Sequence, residues 1–241
     1  MKKLLLAVLL LLVASPLHAA LAFDAEAGQQ VANNASYTHT PVGTPRCVLV
    51  FVMYTGSSDD LTSVSYGGTG MTEVSSSPLI KATGETGVVH AYVLGASIPT
   101  GAQSVTSVAG AVTKRYRSIT YTGAADCEVV ATSTISVDTG ADPSGTVSLG
   151  GRTSAVAEGW VDGNDSPVNV TELTNWTATT EGDFGTQTAA MYYYTIVSTT
   201  DVTFGYTALD NDHIILAVAV SEVLAGGTGT TGRILGGFIG R

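Results

Sequence analysis

Four clusters of Asp and Asn stand out as residues that could do chemistry: Asp59-Asp60, Asp138 to Asp142, Asp162 to Asp165 and Asp210 to Asp212. Calcium takes about six to eight oxygens from carboxylates, amides and carbonyls, and Asp162, Asn164 and Asp165 are the candidate ligands for Ca2+. None of these clusters has the spacing of an EF-hand loop. Asx residues also form ordinary turns, so the plain turn reading stands beside the metal reading. A second kind of chemistry is sugar recognition, which uses flat aromatic faces beside amides and carboxylates. Trp176 lies in the polar stretch Thr174-Asn-Trp-Thr-Ala178, and Phe184 follows Glu181-Gly-Asp183. Trp176, Phe184, Asp183 and Asn175 are therefore the candidate ligand contacts, with Trp176 expected at an exposed rim. Trp160 and alternate members of Tyr192 to Tyr194 sit in apolar strands and are expected in the core.

Catalytic patterns are absent from the sequence. There is no G-x-S-x-G elbow and no H-E-x-x-H pair. A glycosidase needs two carboxylates converging across a cleft, and Glu158, Glu172, Glu181 and Asp183 qualify only because carboxylates are few. His39, His90 and His213 stand singly on strands and are expected to be hydrogen-bonded and half-buried. The expectation is a chain without catalytic residues.

The elements that must position these groups read as strands. His213 to Val223 is an apolar run bounded by Asp210-Asn-Asp212 and Gly226-Gly227, and its eleven residues are too few to span a bilayer. Ile214, Leu216, Val218 and Val220 fall on one face of the pleat, and Ile215, Ala217, Ala219 and Ser221 on the other. Val48 to Tyr54 is apolar on both faces. These two strands are expected at the middle of a sandwich. Other strands are expected at 21–25, 35–40, 61–66, 71–74, 86–94, 104–108, 114–121, 131–137, 146–149, 154–161, 168–174, 189–197 and 202–208, with Gly28 to Asn34 as a turn and Gly67 to Gly70 turning a hairpin. No helical period survives beyond residue 19. The fold class expected is all-β, a two-sheet antiparallel β-sandwich of jelly-roll or Greek-key type.

Residues 1–19 carry two lysines, a leucine-rich stretch and small residues after Pro16, the order of a secretory signal peptide. Cleavage after Ala19 or Ala22 suits it; the competing reading is an uncleaved anchor. Residues 20–224 form the expected β-sandwich domain, and 225–241 a Gly-rich tail, flexible by composition, ending in the apolar peptide Ile234 to Ile239 between Arg233 and Arg241. Loss of Lys2 and Lys3 with the signal takes the net charge from −10 to −12. Such a surface repels nucleic acid and anionic membrane. Charged residues make up 12%, about half the roughly 25% of ordinary globular chains, which fits a turn-rich β protein. The two cysteines, Cys47 and Cys127, make an even count in an exported chain and are expected to form a disulfide; two separate thiols are the alternative.

The stretches Leu21 to Ala25, Val48 to Val52, Val64-Ser-Tyr-Gly-Gly68 with Met71 to Val74, Ala91 to Leu94 with Ile98-Pro-Thr-Gly101, and Ile215 to Val220 together resemble a recurrent jelly-roll-like β-sandwich module of bacterial and phage surface proteins. The resemblance spans about residues 21 to 224 and rests on framework strands and turns. It implies a secreted, cell-surface or virion-borne adhesive or structural module and carries no catalytic residues over. The expected partners are a glycan or a surface protein, met through loops at one end of the sandwich, or further copies of the chain met through residues 233–241.

Overall fold

The computed structural model describes residues 20–32, 36–81, 86–110, 113–137, 142–162, 171–178, 182–183, 188–207 and 213–224. The expected signal segment 1–19 and the Gly-rich residues 225–241 lie outside them. The first half of the chain forms β1 (Ala22–Ala32), β2 (Ser36–His39), β3 (Cys47–Thr55), β4 (Leu61–Tyr66), β5 (Thr69–Gly70), β6 (Thr72–Glu73), β7 (Leu79–Lys81), β8 (Gly87–Leu94), β9 (Gln103–Ala109) and β10 (Thr113–Thr122). The second half forms β11 (Cys127–Val137), β12 (Ser144–Val147), β13 (Ala155–Asp162), β14 (Thr171–Glu172), β15 (Trp176–Ala178), β16 (Gly182–Asp183), β17 (Thr188–Tyr194), β18 (Val202–Thr207) and β19 (His213–Glu222).

All ladders are antiparallel, and the strand order repeats. One sheet runs β1-β10-β3-β8-β6, with β7 also on β8, and its cover runs β2-β9-β4-β5. The second half runs β11-β19-β13-β17-β15, with β16 also on β17, under a cover of β12-β18-β14. Each half places its first strand beside its last and interleaves the remainder, which is the jelly-roll order. The all-β sandwich is thus present in duplicate, as four packed sheets.

The apolar pattern of two strands explains the stacking. On β3, Leu49, Phe51 and Met53 meet Leu216, Val218 and Val220 of β19 in a shared central core, while Val48, Val50, Val52 and Tyr54 meet Tyr37, Val64 and Tyr66 of the first cover. On β19 the small face of Ala217 and Ala219, with Ile215, lies under Val147, Phe204 and Tyr206 of the second cover. A strand apolar on both faces is one whose sheet is covered on both faces. Across the central core Gly159 on β13 lies against β3, where an added Cβ would lie 2.5 Å from Cδ1 of Phe51.

Several boundaries depart from the sequence reading, among them β11, which starts at Cys127 and not at 131, and β17, which ends at Tyr194 and not at 197; two departures have a plain physical cause. The polar stretch from Gly28, expected as a turn, continues β1 to Ala32, because β10 pairs with it residue by residue from Ala25↔Thr120 to Ala32↔Thr113, past a bulge at Asp24. The hairpin at Gly67 and Gly68, both at positive φ, closes on Thr69 and Gly70 alone, while β6 crosses to pair with β8 in the neighbouring sheet.

Candidate functional site

Among the described residues the predicted contacts do not assemble into one site. Trp176 is buried at 5% exposure, its indole Nε1 donates to the Thr203 carbonyl at 3.0 Å, and its ring packs edge-on against Tyr194 at 5.5 Å. This corrects the expectation of an exposed aromatic rim. The polar neighbours of Trp176 belong to a three-residue edge strand, whose alternation turns the indole into the core between β17 and β18. Asn175 is exposed at φ 70°, and its carbonyl accepts the Thr195 N–H at 2.7 Å, so it serves the turn. Asp183 closes β16 opposite Thr188, six residues along β17 from Tyr194, the register partner of Trp176, or roughly 20 Å at the rise of a strand. Asp162 also lies opposite Thr188, and opposite His213, so the backbone register brings Asp162 and Asp183 to the same end of the sheet. Phe184, Asn164 and Asp165 lie outside the described residues. Among the described residues no group of three or more His, Cys, Asp or Glu side chains could hold a metal ion.

His39, His90 and His213 are fully buried rather than half-buried, and each is hydrogen-bonded. His90 Nδ1 meets Glu73 Oε1 at 2.8 Å, and Nε2 meets the Tyr54 hydroxyl at 3.1 Å. Burial holds this imidazole below its ordinary pKa against the opposing pull of Glu73, so Nε2 accepts from Tyr54 at neutral pH. Ser77 Oγ donates to the same Glu73 oxygen at 2.5 Å and accepts the Ala91 N–H at 3.1 Å. The set fastens β6 to β8. His39 bridges Ser118 Oγ at 2.6 Å and Thr120 Oγ1 at 3.2 Å, and burial pulls its pKa down to about 4. His213 Nδ1 meets the Tyr206 hydroxyl at 2.6 Å.

Glu158 is enclosed between the second pair of sheets. Its Oε2 accepts the Gly205 N–H at 3.0 Å, and burial raises its pKa well above 4.5 against that hydrogen bond. The folded chain therefore keeps a proton that the unfolded chain releases. The contribution to stability is complete below about pH 4.5 and is lost as pH climbs through the raised folded value. Glu158→Gln is expected to melt with wild type at pH 4 and above it at pH 8, the gain growing as pH rises from about 4.5 until the folded carboxyl itself ionises. Thermal melts of both chains over pH 4 to 8 check it, and parallel curves would remove the buried-proton account.

An open groove joins the two halves. It encloses about 870 Å³ and runs between β6 and the start of β11. Both are edge strands: among the described residues β6 pairs only with β8, and β11 only with β19. Val74, Val93, Cys127 and Val129 give it an apolar lining, with Glu73, Asp126 and Glu128 around it. The Cys47–Cys127 disulfide, S–S 2.02 Å, anchors one end, and the Cys127 N–H donates to the Gly95 carbonyl at 3.0 Å. Val223 and Leu224, 37% and 49% exposed, complete the lining. The sequence signal for the groove was modest: an apolar pair that continues past the end of β19. Compared with known proteins, the chain matches no family model, no curated protein and no solved structure.

Proposed function

We propose that this chain is an exported, non-catalytic binding module of an extracellular or virion assembly, which takes up an extended polypeptide segment in the groove between its two sandwiches. The observation that carries this reading is the pair of edge strands flanking an apolar groove. Unpaired backbone donors and acceptors on a strand edge accept an added strand, and apolar pockets beside them select its side chains. A disulfide is at home in an oxidising compartment, in keeping with export. The resemblance to surface modules points the same way, and jelly rolls serve widely in capsid and lectin domains. The acid–imidazole pair Glu73–His90 is sealed from solvent at His90, which suits a structural fastening. Glycan recognition through the end loops loses its aromatic platform with Trp176 in the core.

Ala96, exposed at the groove, supplies the test. Ala96→Arg is expected to abolish capture of extended apolar peptides, read by fluorescence anisotropy on residues 20–241, with the melting temperature unchanged. A chain that ignores such peptides yet binds members of a glycan panel would overturn the proposal.

A further inference from the structure

Resting on that reading, we infer that the groove's built-in occupant is segment 233–241 of the same chain, laid as an added strand between β6 and β11. Three observations on the molecule converge on it. Leu224, the last described residue, already lines the groove, so the residues that follow start at its mouth. The intervening 225–232, AGGTGTTG, is Gly-rich. Eight such residues have a root-mean-square span of about 15 Å and a limit of roughly 28 Å, enough to turn back along the groove they leave. The third observation is chemical complementarity. Ile234, Leu235, Phe238 and Ile239 match the lining of Val74, Val93 and Val129, and Gly236-Gly237 let the backbone approach a strand edge closely.

Charge supports the same pairing. The segment is flanked by Arg233 and Arg241 and holds no Asp or Glu, whereas Glu73, Asp126 and Glu128 stand around the groove. Asp126 and Glu128 are met at 3.7 Å by Arg46 and at 2.7 Å by Arg152. Both carboxylates are nearly half exposed and have further lone pairs for a second guanidinium. A short tether makes the encounter intramolecular, at an effective concentration in the millimolar range, so the chain's own segment outcompetes that of a second copy in dilute solution.

Hydrogen exchange on residues 20–241 tests it. Phe238→Asp places a charge in the apolar stretch without touching the sandwiches. Amides on the outer edges of β6 and β11 are expected to exchange at least tenfold faster in this variant than in wild type, and added synthetic peptide 233–241 is expected to restore their protection. Wild-type protection is expected to be the same at 1 and 100 μM. Equal exchange in the two chains would overturn the inference, and protection that fades on dilution would replace the chain's own segment by that of a second copy. Loss of this inference leaves the groove proposal distinguishable, because in the Phe238→Asp background, where the segment no longer fills the groove, the Ala96→Arg comparison on a foreign peptide still reads the groove.

Discussion

Replacing Cys47 and Cys127 together by alanine is expected to lower stability by about 4–5 kcal/mol and the melting temperature by roughly 10–15 °C. The bridge joins residues separated by 80 positions, with Cα atoms 5.4 Å apart. Closing a loop of that length removes many conformations from the unfolded chain, and the loop here is nearly the whole first sandwich. The bond also ties the start of β3 to the start of β11, so it fastens one half to the other where the groove opens. Both half-cystines are buried, and two alanines remove little further packing. Calorimetry on the double variant and the wild type, under non-reducing conditions, reads the difference. A change below about 1 kcal/mol would mean that the Cys127 N–H to Gly95 contact and the central core already hold the halves together without the bridge.

Much of this architecture was legible because it rests on period-2 alternation. The two faces of β19 divide between the central and outer cores along the lines its sequence suggests, and on β8 the alternate residues Val88, Tyr92 and Leu94 share one core. What the pattern does not carry is the number of layers. β3 and β19 each announced two buried faces, which in retrospect requires a cover on either side of each central sheet. The duplication is equally silent, because topology repeats while side chains do not. β10 reads TKRYRSITYT and its counterpart β19 reads HIILAVAVSE, and both lie second in their sheets.

The site was less legible for a different reason. Trp176 was judged by its sequence neighbours, but a short edge strand buries alternate residues whatever lies between them. The buried cations show the same limit. Lys114 is fully enclosed with Nζ donating to the Gly110 carbonyl at 3.0 Å and lying 5.6 Å above the Tyr54 ring, although composition alone would put a lysine at the surface. A groove between edge strands depends on which strands end a sheet, and only topology reveals that. The disulfide, by contrast, followed from a count of two.

Phe51→Ala is expected to destabilise the chain by about 3–5 kcal/mol, and Gly159→Ala by about 1–3 kcal/mol, through opposite faults at one contact. Phe51 is fully buried where the two central sheets cross, and removing its ring leaves a cavity that neither sheet can close alone. At Gly159 a new methyl would stand 2.5 Å from Phe51 Cδ1, 3.0 Å from Cγ and 3.2 Å from Cβ, so the ring must move within a packed core. That penalty exceeds the roughly 0.5–1 kcal/mol gained by replacing a strand glycine. The two faults relieve each other when combined. The double variant Phe51→Ala/Gly159→Ala is expected to be at least 1 kcal/mol more stable than additivity gives, since the methyl enters space the ring has vacated. Chemical denaturation of all four chains measures the coupling. Strict additivity would mean that β3 and β13 separate slightly to accept the methyl, and that the central core is held by its breadth and not by this crossing.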